Sequence, residues 1–423
     1  MSESRLQPSD RGAALWALTL LSAVSFFNYL DRMVIAVLVQ PIKADLGLSD
    51  TQVGLVSGFA FALLYALAGL PIARIADRSS RVRLISVCLV LWSAMTAVTG
   101  LARNFLELFL ARMAVGVGEA GCVPASHSLL GDLFSPRTRA LAVGVFQVGG
   151  LLGMSFGLAG AGWVAETYGW RTALVAAGLA GAPLALLLVL TVREPRRAEV
   201  AASARGETTL QTISALAGRP TLAHLIVGLS IGAFATYGIG QWVAAFYIRS
   251  HGLGLAEVGL ITGSIAAGAG ILGTLAGGAL MVWLRRRDAR WELWQPMAAY
   301  LLAAPLFAAA FLVTDLSAAL ALQFAGTVFG AMGGGVALAA IQSFAEPHRR
   351  ATAVALMLML SSLIGLGLGP AAVGALSDML AATQAGDSLR IALAVSTAFL
   401  AWAALHFLLA ARSAGPDGPA DPR

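Results

Sequence analysis

Charge is scarce in this sequence. Acidic and basic residues together make up 12% of its 423 positions, about half the share of roughly 25% found in ordinary soluble domains. With 58% hydrophobic residues, the chain is excluded from the water-soluble class. Cysteine is nearly missing as well. Its two copies, Cys88 and Cys122, lie inside apolar runs, which leaves no disulfide framework and no cysteine-based zinc site and argues against redox chemistry. The Gly-x-Gly spacings follow no strand and precede no Lys-Ser/Thr, so they are not phosphate loops, and no metal or organic cofactor is expected. No nucleophile is paired with a base: Ser126 and His127 are neighbours on a helical segment and point about 100° apart, so an enzyme is not expected and no catalytic residue is assigned.

What the sequence has instead is long uncharged runs. They extend from Gly12 to Leu30, Thr51 to Ala73, Leu84 to Ala102, Ala140 to Ala165, Thr172 to Val192, Thr221 to Ile248, Val258 to Leu284, Leu293 to Thr314, Leu316 to Ala345, Ala351 to Ser377 and Ile391 to Ala411. A further run, Phe105 to Leu130, is broken only by Arg112 and Glu119. Each is near the roughly 20 residues a helix needs to cross a bilayer, so twelve spans are predicted. The N-terminus lacks the charge block and small-residue cleavage site of a signal peptide and reads as a retained first helix. Twelve spans put both termini on one side. That side collects Arg74, Arg78, Arg81, Arg83, Arg137, Arg139, Arg193 and Arg285, Arg286, Arg287 and Arg290, among others, whereas the opposite side has Lys43, Arg103, Arg171, Arg249 and Arg390. The excess predicts cytoplasmic termini. The net charge of +6 is thereby accounted for by topology, and no basic face is left for nucleic acid.

The two halves of the chain echo each other. Pro136-Arg-Thr-Arg139-Ala-Leu-Ala-Val143 resembles Pro347-His-Arg-Arg350-Ala-Thr-Ala-Val354, and Gly162-Trp-Val-Ala-Glu166 resembles Gly374-Ala-Leu-Ser-Asp378. A constant offset of half the chain marks a duplicated unit, and parallel six-helix repeats are a transporter architecture. The reading is an all-α membrane protein of two pseudo-symmetric six-helix bundles, residues 1–192 and 220–423, joined by a cytoplasmic linker at 193–219.

The segment Gly69-Leu-Pro-Ile-Ala-Arg-Ile-Ala-Asp77-Arg78-Ser-Ser-Arg81-Val-Arg83, between the second and third spans, resembles the loop signature of the major facilitator superfamily, with Ala73 and Ser80 in place of two usual glycines. Asn28-Tyr29-Leu30-Asp31-Arg32, Arg112-Met-Ala-Val-Gly116-Val-Gly118-Glu119-Ala and Gly131-Asp132-Leu133-Phe134 followed by Arg139 resemble the spinster-like branch, whose members are implicated in moving lysolipids and sphingoid lipids. Proton-coupled organic-anion symporters share the Asn-Tyr-x-Asp-Arg pattern. The resemblance implies the twelve-helix facilitator fold and a cytoplasmic gate made by Asp77, Arg78, Arg81 and Arg139, with Asp77 latched against the segment near Arg139.

Independently of any resemblance, four ionisable groups lie inside predicted spans: Asp31 and Arg32 in the first, Arg112 and Glu119 in the fourth. Each would cost about 2.5–3.5 kcal/mol unpaired at a helix centre, so they are expected to face one another or water. Arg112 and Glu119, seven residues apart, share a helix face, and Asp31 lies at a depth similar to that of Arg112. Asp31 and Glu119 are assigned proton coupling, with Arg32 and Arg112 as ion-pair partners, because a neighbouring guanidinium favours the charged carboxylate and burial disfavours it. Glu119 is favoured as carrier, since Arg32 adjoins Asp31. His127 is a candidate relay. A static cluster that only fixes helix packing is the competing reading.

The spans after Thr221 contain no charged residue up to Ala411 apart from those at their ends. Such a cavity, charged in one half and apolar in the other, suits an amphiphile whose headgroup meets Asn28, Arg32 or Arg112 and whose tail follows the second half. Tyr237, Gln241, Trp242, Gln323 and Phe324 are candidate contacts there, with plain helix packing as the alternative for each. The expected function is proton-coupled transport of a lysolipid- or sphingoid-like molecule by alternating access, or alternatively proton symport of small organic anions. The expected setting is the plasma (inner) membrane, the bilayer and an amphiphilic substrate are the expected partners, protons are the only coupling ion, and a monomer is expected.

Overall fold

A computed structural model describes residues 8–195, 209–346, 348–384 and 386–414. Every regular element among them is helical. In chain order these are α1 (Pro8–Leu46), α2 (Asp50–Gly54), α3 (Ala60–Arg78), α4 (Arg81–Thr99), α5 (Phe105–Ala120), α6 (Cys122–Leu133), α7 (Pro136–Tyr168) and α8 (Trp170–Thr191). There follow α9 (Thr209–Ala217), α10 (Pro220–His251), α11 (Leu255–Arg285), α12 (Trp291–Leu312), α13 (Leu316–Phe344), α14 (Arg350–Leu360), α15 (Gly369–Ala381), α16 (Ser388–Ser396) and α17 (Ala398–Ser413). A π-turn, Leu55–Phe59, links α2 to α3, and a second, Ser361–Leu368, links α14 to α15.

Eleven helical segments among the described residues are long and apolar enough to cross a membrane. The remaining predicted span, Phe105 to Leu130, is divided at Gly121 into α5 and α6. Pro124 explains the division, because it offers no N–H to the carbonyl four residues earlier. The first span is longer than its uncharged run: α1 covers 39 residues. Val34 to Val39 and Ile42 are apolar and buried and carry the helix past Asp31 and Arg32. The predicted linker is also not all irregular, since α9 occupies its end.

The helix ends follow local sequence. Ser49 and Gln52 form a reciprocal capping box at α2, Asn104 and Asp315 accept from the first turns of α5 and α13, and Gly252, at φ 71°, closes α10 in the left-handed region that glycine enters without steric penalty. Ser80, one of the two replacements in the loop signature, accepts the Arg83 N–H as N-cap of α4.

The chain falls into two compact units: Met1–Leu46 with Ala60–Ala201 and Gly254–Gly263, and Gly47–Phe59 with Ala202–Leu253 and Ser264–Arg423. In the first, α1 packs along α7. Gly149, Gly153 and Gly157 on α7 seat against the backbones of Ser22, Phe26 and Leu30, so both helices present positions four apart and one glycine row receives one backbone row. In the second unit, Gly54 and Gly58 seat against Pro370 and Leu366, which brings the two π-turns together.

The echoed Gly-x-x-x-acid motifs have matching jobs, one in each unit. Gly162 lies against the backbone of Leu255 and Glu166 accepts the Ala256 N–H at the start of α11 (2.6 Å). Gly374 lies against Asp50, and Asp378 accepts the Asp50 and Thr51 N–H groups (3.0 and 2.7 Å) at the start of α2. In both places a glycine admits a helix start and the acid one turn later satisfies its unpaired N–H groups.

Candidate functional site

Helix α1 delivers Asn28, Asp31 and Arg32 to one region because residues three and four apart share a helix face. Helix α5 delivers Arg112 and Glu119, two turns apart. The glycines between these two let α5 approach closely: a Cβ on Gly116 would strike the Phe61 carbonyl of α3, and one on Gly118 would lie 2.7 Å from the Trp92 backbone nitrogen of α4. Asn28 and Glu119 have no exposed surface, Arg112 has 1% and Asp31 4%.

The four charges form crossed pairs between the two helices. Arg32 Nε donates to Glu119 Oε2 at 2.6 Å. Arg112 Nη1 lies 3.6 Å from Asp31 Oδ2, an ion pair too long for a hydrogen bond. Three rings surround the Arg32 guanidinium, with centroids at 5.5 Å for Tyr29, 5.0 Å for Phe61 and 4.9 Å for Tyr65. Phe61 also faces the Arg112 guanidinium at 5.5 Å, so one ring serves two cations.

Much of the hydrogen-bonding capacity here is unused. Glu119 Oε1, Asp31 Oδ2, Arg32 Nη2, Arg112 Nε and Nη1, both amide atoms of Asn28 and the hydroxyls of Ser25 and Ser126 are buried with no hydrogen-bond partner. Each such group costs about 1–3 kcal/mol if left so, and buried polar groups in folded proteins are nearly always satisfied. So many donors and acceptors in one place can hold water, protons or a ligand.

The other expected residues have different surroundings. His127 packs its ring edge-on against Phe146 at 5.2 Å and lies beyond the break at Gly121, so it is not continuous with Glu119 along one helix. Trp242 is fully buried and donates to the Pro370 carbonyl at 2.9 Å, and Gln323 accepts from the Tyr247 hydroxyl at 2.5 Å. Both side chains therefore have partners among the packed helices, the arrangement that the packing alternative describes. Tyr237 and Phe324 are exposed, and Gln241 is buried with its Nε2 unpartnered.

The residues of the expected gate have these surroundings. The Asp77 side chain lies outside the described residues, Arg78 is exposed, and Arg139 donates to the Gly131 carbonyl at 2.6 Å. Arg81 is no solvated loop charge: at 2% exposure it donates to Asp132 (2.6 Å), to Ser128 and to Glu194 (2.7 Å). Glu194 also accepts from Ser80 and the Val82 N–H. Burial pushes the Glu194 carboxyl up, but the Val82 N–H, Arg81 and Ser80 outweigh it and hold the group below its ordinary value. The sequence reading placed Glu194 in the linker and missed it; its position directly after the sixth span, among arginines, was the available signal. Tyr65 and Phe61 were missed because single aromatics on apolar helices carry no sequence signature.

Residues 21–370 match the profile of the Major Facilitator Superfamily. The chain belongs to this superfamily. It is a multi-pass membrane transporter and not an enzyme. An MFS-type efflux pump of Mycolicibacterium smegmatis is 35% identical over 402 residues, covering 94% of this chain and 92% of the relative. The sphingosine-1-phosphate transporter SPNS2 of Xenopus tropicalis is 27% identical over 396 residues, covering 89% and 76%. Among solved structures, a bacterial homologue of the human lysosomal transporter Spinster, in an inward-facing and unoccupied conformation, matches this facilitator with a TM-score of 0.84 at 30% identity, over 95% of this chain and 97% of the other. The chain is thus spinster-like in sequence and structure.

Proposed function

We propose that this transporter couples proton movement to the passage of an amphiphilic, lysolipid- or sphingoid-like molecule by alternating access. The observation that supports this reading most is the crossed pairing of Arg32 with Glu119 and Arg112 with Asp31 among unpartnered buried polar atoms. Two carboxylates and two guanidinium groups within reach of one another have more than one arrangement. A carboxylate that loses its guanidinium takes a proton, and one that regains it releases the proton. Glu119 is the main carrier in this scheme, and Asp31, paired with Arg112, is the second coupling carboxylate. One elementary charge crossing 100 mV supplies about 2.3 kcal/mol, enough for roughly fifty-fold accumulation or extrusion.

The lipid-like cargo is supported by the names of the relatives, which include sphingosine-1-phosphate transporters and spinster homologues, and by the apolar character of the later spans. The arginine bias supports cytoplasmic termini and a plasma (inner) membrane setting. The transporter acts as a monomer with no cofactor beyond the proton. A second reading, symport of small organic anions, is favoured by the unused donors on Arg32 and Arg112.

Proteoliposomes with an imposed pH gradient separate the two. Uptake of a labelled lysolipid that saturates, and that loses its pH dependence in Glu119→Gln, supports the first reading. Saturable transport of a labelled aromatic acid alone ends it, and unchanged pH dependence in Glu119→Gln removes Glu119 from the mechanism.

A further inference from the structure

Arg32 sits in surroundings that proteins ordinarily build for a cationic ligand. Tyr29, Phe61 and Tyr65 place three rings within 5.5 Å of its guanidinium, and a fully buried carboxylate, Glu119, closes the fourth side at 2.6 Å. The electron-rich face of an aromatic ring attracts a cation, and clusters of such faces recognise ammonium groups. Phe61 and Tyr65 are stacked one turn apart on α3, with ring centroids 5.4 Å apart, so the wall they make is set by helix spacing and not by Arg32 itself.

The occupant is held incompletely. Arg32 Nη2 has no hydrogen-bond partner, and neither has the second carboxylate oxygen, Glu119 Oε1. A guanidinium placed to fill the acid's needs would leave neither unused. The site is also reachable: the Arg32 side chain is 17% exposed, and Tyr29 and Tyr65 are only half-buried. A long, flexible cation at the mouth of an aromatic box is a group that can swing out and be replaced.

We infer that the box of Tyr29, Phe61, Tyr65 and Glu119 is a binding site for the positively charged headgroup of the cargo, an alkylammonium, and that Arg32 occupies it in the cargo's absence. This inference rests on the transport reading above and deepens it: it assigns the cargo a cationic group and gives Arg32 the part of a displaceable stand-in. An anionic headgroup has no place in the box, since its charge would meet Glu119 and the negative faces of three rings. An apolar tail on the ammonium suits the amphiphile reading.

The test uses the purified full chain in nanodiscs and two probes with one tail and opposite heads, octyltrimethylammonium and octyl sulfate, each below its micelle concentration, with affinity read by calorimetry. The ammonium probe binds at least tenfold more tightly than the sulfate. Tyr65→Leu weakens the ammonium probe by roughly 3- to 30-fold and leaves the sulfate unchanged, while Tyr65→Phe restores the ammonium affinity because the ring face returns. Arg32→Gln, which vacates the box, tightens the ammonium probe. A merely structural Arg32 would give the opposite sign or no change. Equal or tighter binding of octyl sulfate, lost in Arg32→Gln, overturns the inference, because Arg32 is then an anion's partner. Binding of neither probe overturns it as well.

The proteoliposome assay keeps this outcome separate from the transport reading. If the pH gradient still drives a labelled lysolipid through Glu119 while the ammonium probe shows no preference, only the cation assignment falls. If the ammonium probe binds as stated but no pH-driven transport occurs, proton coupling falls and the box stands.

Discussion

Removing Arg249 should expose how much one ion pair contributes to the second compact unit. Asp50, in the first turn of α2 and 2% exposed, accepts a two-pronged pair from Arg249 (2.8 Å for each oxygen) and the Ser377 hydroxyl at 2.7 Å. Arg249 also faces the Trp242 ring at 5.7 Å. In Arg249→Met the buried carboxylate loses its guanidinium, and breaking such a pair from one side costs about 3–5 kcal/mol. For a unit of this size 1 kcal/mol corresponds to roughly 2–4 °C, so the midpoint of thermal unfolding in detergent should fall by about 6–20 °C. Arg249→Lys should recover only part, since an ammonium lacks the planar fork. The decisive variant is Arg249→Met combined with Asp50→Asn. With the charge gone from both sides, the double variant should be more stable than the sum of the single losses by at least 1 kcal/mol. Losses that simply add would refute the reasoning, since the two groups would then contribute independently.

Other expected outcomes follow from single features. Arg112→Ala should lower the unfolding midpoint more than Arg112→Lys, because Asp31 is buried beside it and a lysine retains an opposite charge; equal effects would show that the pair contributes nothing. Glu194, whose carboxyl is held below its ordinary value, contributes stability above the unfolded-state pKa and loses it as pH falls through the lower folded value. The midpoint difference between the parent and Glu194→Gln should therefore be flat near neutrality and shrink below about pH 4.5; a difference that grows with acid contradicts the assignment. A Cβ on Gly153 would lie 2.8 Å from the Phe26 carbonyl carbon, whereas Gly160 on the same helix has nothing within 4 Å. Gly153→Ala should cost about 1–3 kcal/mol and Gly160→Ala close to none, read as paired unfolding midpoints.

The fold was legible because hydropathy is a property of long windows. Twenty apolar residues in sequence leave few options in lipid, so the spans could be read without coordinates, as could the pairing of Asp31 with Arg112 and of Glu119 with a guanidinium. Boundaries were less legible. The uncharged-run criterion ended the first span at Leu30 because it cannot know that Asp31 and Arg32 find partners on α5, and it could not foresee that Pro124 splits the fourth span at Gly121. Side chains whose meaning depends on another helix were illegible. Tyr65 and Phe61 look like any apolar-face aromatics until Arg32 is placed over them, Arg81 looks like a loop charge until Asp132 and Glu194 enclose it, and Trp242 looks available until Pro370 receives its N–H.

The echo between the halves also shows what duplication kept and what it did not. The Gly-x-x-x-acid motif survives in both copies because its job is general: each admits a helix start and satisfies its N–H groups, Glu166 for α11 and Asp378 for α2. The buried charges do not survive in both. At the offset that relates Pro136 to Pro347, Asp31 corresponds to Trp242 and Arg112 to Gln323, and both of these are buried in ordinary packing and hydrogen bonding. A role in holding the repeat together would press equally on both copies, as it does for the capping acids. A charge cluster present in one copy, with buried donors and acceptors left open around it, instead fits the proton and cargo site proposed above, in which one half carries the charges and the other stays neutral.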